Sequence, residues 1–153
     1  MRQSTTTSLQ TPKLSELPSV ILLCKSLRTW SNARALGEPA QQALFSLLSH
    51  RGLGLFAPVF DGFFTCVSLA LGRDLKVGCG CSISADEAVL WSLLRGASPS
   101  VGGLAPTGSS TSLIAAAAAS VRLAMSWELL TSYENYSPAN GDLPVDPKSM
   151  TAA

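Results

Sequence analysis

Charge is what this sequence has least of. Asp, Glu, Lys and Arg make up 14% of it, against about 25% in an average soluble protein. The 11 basic and 10 acidic residues nearly cancel, leaving a formal net charge of +1. No run of Lys and Arg occurs. Affinity for phosphate needs a concentrated basic face, so nucleic acid is not an expected partner. His50 is the only histidine, and no serine lies in a nucleophile-elbow pattern, so a Ser-His-Asp hydrolase is poorly supported. Gly78-x-Gly80 lacks the rest of a dinucleotide fingerprint, and no P-loop lysine pattern is present. These gaps make an enzyme the least supported class.

A secretory leader is not evident either. The opening stretch MRQSTTTSLQTPKLSELPS is polar for too long, and the apolar run Val20–Cys24 is too short for a signal peptide. The expected location is therefore the cytoplasm, where thiols are kept reduced.

What the chain does have is apolar material in helical rhythm. Its 46% hydrophobic content over 153 residues is enough for one domain with a real core. Residues 1–18 and 134–153 are rich in Ser, Thr, Pro and other turn-forming or polar residues, and read as a flexible arm and tail. Residues 19–133 read as a single helical domain. Val20, Leu23, Leu27, Trp30 and Ala33 recur at helical spacing, and Gly37 supplies a stop. Glu38 and Pro39 open a second helix, which ends near Arg51 and Gly52.

The stretch 53–71, LGLFAPVFDGFFTCVSLAL, is long enough to cross a bilayer. Asp61 at its centre costs about 2.5–3.5 kcal/mol on an insertion scale, which favours a core helix. Pro58 is expected to interrupt that helix, with Asp61 capping the half that follows or standing as an acid among apolar neighbours. Residues 76–83, KVGCGCSI, are too rich in glycine for a helix. Ser84-Ala85-Asp86-Glu87 then has the form of a capping box and opens a helix that ends at Gly96. A last helix is expected from Ser110 to Tyr133, after a loop over 97–110. Its alanine block 115–119 would let another helix approach closely, within one chain or between two. Trp30, Trp91 and Trp127 fall on the apolar sides of their helices and read as core. The fold class is all-α, a compact bundle of about five helices with flexible ends.

Cys79-Gly80-Cys81 is the motif most suited to chemistry. Glycine lets the backbone fold so that two sulfurs can address one soft metal, zinc or iron among the candidates. A structural zinc site wants four Cys or His ligands, and Cys66, Cys24 and His50 are the candidates for the rest. The following helix N-terminus favours a thiolate, so a redox-responsive thiol is a second reading. The plain alternative is that all four cysteines are small hydrophobes and that His50 ends its helix as a dipole partner. Asp86 and Glu87 are adjacent, diverge on a helix and fit capping roles, not an acid/base pair.

Around Val77–Cys81 and Ser84–Ala88 the sequence resembles a group of short, uncharacterised bacterial proteins, in which a cysteine-rich turn precedes an Ala-Asp-Glu helix. The likeness covers roughly residues 20–130 and departs at Gly80, which interrupts the cysteine run. It implies a bacterial, helical, non-secreted protein. Together these features suggest a small accessory or regulatory protein that binds another protein or itself, for instance one affecting expression or secretion of other proteins. The alternatives are a metal- or redox-responsive protein using Cys79 and Cys81, and a membrane-associated protein using residues 53–71.

Overall fold

A computed structural model describes residues 17–98 and 108–135. Five α-helices are present among them: α1 (Leu17–Ala35), α2 (Ala40–Ser49), α3 (Ala57–Leu71), α4 (Ala85–Leu94) and α5 (Gly108–Asn135), with a 3₁₀ turn at Gly54–Phe56 before α3. No strand occurs among the described residues. The chain is an all-α bundle. The arm expected at 1–18 and the tail at 134–153 lie outside the described residues, except where α1 and α5 reach into them. The expected 97–110 loop is likewise outside for its central part.

The helices form a closed ring of neighbours. α1 packs on α2, α2 on α3, α3 on α5, α5 on α4, and α4 returns to α1. Inside it, Trp30 of α1 meets Phe64 of α3 with ring centroids 5.7 Å apart, and Phe60 and Phe63 flank Phe64 at 6.2 and 5.8 Å. Such tilted contacts suit the ring quadrupoles better than flat stacking. Leu23, Leu27, Leu44, Leu48, Val67, Leu90, Ile114 and Val121 complete the core.

Glycine does its expected work where helices end. Gly37 and Gly72 sit at φ +70° and +64°, the left-handed region in which a Cβ is strained. Pro58 does not interrupt anything. It lies in the first turn of α3, where a helix has no use for the missing N–H, so it starts the helix that the sequence suggested it would break. Pro39 stands one residue ahead of α2, as its N-cap. Asp61 is therefore a mid-helix residue and caps nothing. Its Oδ1 accepts from the Trp30 indole at 2.7 Å and its Oδ2 from the Gln41 amide at 2.9 Å. Trp30 can be buried because Asp61 satisfies its N–H. Of the other tryptophans, Trp91 packs against the core. Trp127 is exposed, contrary to its apolar setting in the sequence.

The 3₁₀ turn and α3 together form one stretch, Gly54–Leu71, long and apolar enough to cross a membrane, and a third of it is buried inside the bundle. The buried third is the side carrying Phe60, Phe63, Phe64 and Val67.

Candidate functional site

Two features stand apart from the core: a cysteine turn held by paired charges, and an uncharged outer face on α3 and α5.

The turn begins with the capping box. Ser84 accepts the Glu87 N–H at 3.0 Å, and Glu87 Oε2 accepts the Ser84 N–H at 2.7 Å. This reciprocal pair starts α4. Capping needs no further partner, yet Glu87 is 1% exposed and its neighbour Asp86 6%. A carboxylate moved out of water costs several kcal/mol unless it is paired. Each has its own arginine. Arg28, on α1, donates Nε–H to Glu87 Oε1 at 2.8 Å and Nη2 to Oε2 at 3.3 Å. Arg73, just past α3, makes the two-pronged contact with Asp86, at 2.6 and 2.8 Å. Backbone donors finish the arrangement: Gly78 N–H reaches Glu87 Oε2 at 3.2 Å, and Lys76 N–H reaches Asp86 Oδ2 at 2.7 Å.

Both carboxyls consequently lie below their ordinary range. For Asp86 the Arg73 hydrogen bonds are the main cause and outweigh burial. For Glu87 burial acts upward as the largest single influence, and the Arg28 hydrogen bond with the Ser84 and Gly78 N–H groups overcomes it.

Arg28 then extends past Glu87. Its Nη1 donates to the Gly80 carbonyl at 2.7 Å and Nη2 to the Ser82 carbonyl at 2.8 Å. The turn closes on itself through Ser82, whose N–H and Oγ–H both donate to the Cys79 carbonyl, at 3.0 and 2.7 Å. Gly80 takes φ +55° at the bend. Gly78 is needed for a different reason. A Cβ there would collide with the Ser82 carbonyl and lie 2.8 Å from Glu87 Oε2.

Cys79 and Cys81 are exposed on this turn. The other candidate ligands lie elsewhere in the fold. Cys66 is half-buried on α3, Cys24 is buried on α1, and His50 is exposed at the C-terminal end of α2. Burial, and next the Glu87 charge, push the Cys24 thiol up against the opposing pull of Arg28, so it stays protonated. Among the described residues no three His, Cys, Asp or Glu side chains converge as a metal-binding group. Arg28 and Arg73 carried no signal in the sequence, and Gly78 entered only as part of an incomplete dinucleotide pattern. The available signal was the Asp86–Glu87 pair: a capping box uses one acid, and a chain this short of charge had placed two.

The second feature is an absence of charge. Over Gly54–Leu71 the only charged residue is Asp61, and over Thr111–Trp127 it is Arg122. Asp61 is occupied by Trp30 and Gln41, and Arg122 reaches toward the Leu94 carbonyl at 3.5 Å. Leu55, Leu69, Leu113, Leu123 and Trp127 are more than half exposed on these two neighbouring elements. No family model, curated protein or solved structure matches the chain.

Proposed function

We propose that this chain is a small helical accessory protein that acts by binding another protein through the outer face of α3 and α5. The observation that carries the reading is the row of exposed side chains on α5. Leu113, Ala116, Ser120, Leu123 and Trp127 follow at alternating intervals of three and four, the rhythm of a helix seam packed on another helix. Ile114, Ala118, Val121 and Met125 already serve the core from the other side, so α5 is apolar on two sides. Ser120 does not spoil the row, because its hydroxyl donates to the Ala116 carbonyl at 3.0 Å within the helix.

The chemistry of the partner follows from what the face offers. It has no free charge to complement, so its counterpart is an apolar, uncharged helix. An exposed leucine fully covered by a partner gains about 1.5–3 kcal/mol, and a few anchors, tryptophan foremost, dominate typical interfaces, a place Trp127 fits by its exposure.

A photo-crosslinking amino acid at position 123 of the full chain, expressed at native level, tests this. Discrete adducts to a protein are expected, absent when the crosslinker replaces exposed Lys25 on α1 and lost on adding Ala116→Glu in the same row. An adduct to a second copy of the chain identifies the partner as itself. Crosslinking to lipid alone, or no adduct, overturns the reading.

A further inference from the structure

We propose that Cys79 and Cys81 form a two-thiolate binding site for a soft monovalent d¹⁰ cation of the copper(I) or silver(I) class, presented by the turn that Arg28 and Glu87 hold. The starting point is an imbalance between framework and contents. Ion pairs with buried carboxylates contribute little net stability against apolar replacements, and in some proteins they fix geometry instead. Here two buried carboxylates and two arginines fix residues 73–84, of which only Leu75 enters the core. Val77, Cys79, Cys81 and Ile83 all face solvent. The framework therefore positions an exposed tip, and the reactive atoms of that tip are two thiols.

The tip selects the ion by donor type and by number. The carbonyls of Cys79, Gly80 and Ser82 already accept from Ser82 and Arg28. The exposed side-chain donors on either side of Gly80 are sulfurs, and thiolates prefer soft metals to oxygen-seeking ones such as calcium or magnesium. No third His, Cys, Asp or Glu side chain joins a metal-binding group among the described residues, which disfavours the four-coordinate arrangement of structural zinc. Soft monovalent d¹⁰ ions are satisfied by two sulfurs in a near-linear arrangement. Cys79 and Cys81 are separated by one residue, a glycine in the left-handed region at the bend of the turn, and both are exposed on either side of that bend.

Charge also balances. Two thiols release two protons and take up one monovalent cation, so the loaded turn carries one net negative charge. The Arg28 guanidinium, already paired with Glu87, also donates to the Gly80 carbonyl between the two cysteines, so a cation lies close to that charge. Arg28 is a positioning residue in this scheme and touches no metal.

The test is competition for copper(I) between the reduced full-length chain and a chromophoric copper(I) chelator, with circular dichroism checking the fold. The expected result is one copper(I) per chain, removed by Cys79→Ser/Cys81→Ser and retained by Cys24→Ser/Cys66→Ser. Since Cys79 and Cys81 are exposed, their serine variants keep the native helical signal. Copper retained by Cys79→Ser/Cys81→Ser, one ion per two chains, or no copper captured by the native chain would each overturn the proposal.

Discussion

Replacing Arg28 with alanine removes the contact on which α4 and the cysteine turn both depend. The variant loses two hydrogen bonds to Glu87 and the bonds to the Gly80 and Ser82 carbonyls. The Glu87 side chain has no solvent exposure, while that of Arg28 is 29% exposed. Removing one member of a buried pair costs about 3–5 kcal/mol, because the remaining charge stays desolvated. Glu87 keeps its Ser84 and Gly78 N–H donors, and water can enter where the arginine was, so the lower end applies, about 3 kcal/mol. For a domain of this size that is a fall in Tm of roughly 10–20 °C. The double variant Arg28→Ala/Glu87→Gln should recover part of the loss, since glutamine keeps the cap without burying an unpaired charge.

The pH dependence of that deficit has a definite sign. Native Glu87 sits below its ordinary value, so its stabilisation is complete above about pH 4.3 and fades as pH falls through the folded value. Without Arg28 the folded value rises, and the difference between variant and native chain narrows in acid. Urea denaturation at pH 7 and below pH 4 measures both effects. A loss under about 1 kcal/mol at pH 7, the size of an exposed ion pair, would refute the reasoning. So would a deficit that does not narrow in acid.

Four further outcomes are expected. Gly78→Ala should cost about 1–3 kcal/mol by overpacking against the Ser82 carbonyl and Glu87, seen as a lower urea midpoint. Asp61→Ala should cost about 1–3 kcal/mol by leaving the buried Trp30 indole N–H without an acceptor, with a change in tryptophan emission in the folded state. Ser26→Ala should stabilise the chain by about 1 kcal/mol, since the Ser26 hydroxyl is buried without a hydrogen-bond partner, and a Tm that falls would contradict this. Acid unfolding of the native chain should begin only below about pH 4, as Asp86 and Glu87 take up protons at their lowered values; Asp86→Asn should flatten that slope in an acid titration followed by circular dichroism.

Helix existence was legible because it depends on local pattern. Apolar spacing located α1 and α2, Gly37 and Gly96 marked ends that φ +70° and +87° explain, and the Ser84–Glu87 box is reciprocal as the spacing implied. Local rules misled where one residue had two local roles. Pro58 starts a helix or breaks one according to how many turns precede it, and only a 3₁₀ turn lies ahead of it here. Asp61 is an acceptor for Trp30, 31 positions earlier, a relation no local window contains. Trp127 lies on the outward side of α5 because that helix is apolar on two sides, and helical periodicity alone did not say which one the core would take.

The sequence by itself determined the helices, the Ser84–Glu87 cap and the glycine-rich turn, because hydrogen bonding within a few residues sets those. Only the tertiary structure decided what holds the turn. Arg28 meets Glu87 across 59 positions and Arg73 meets Asp86 across 13, and the pairing follows from α4 returning to α1 to close the ring. A charge chooses its partner by distance and by loss of water, and neither is specified until the helices have packed.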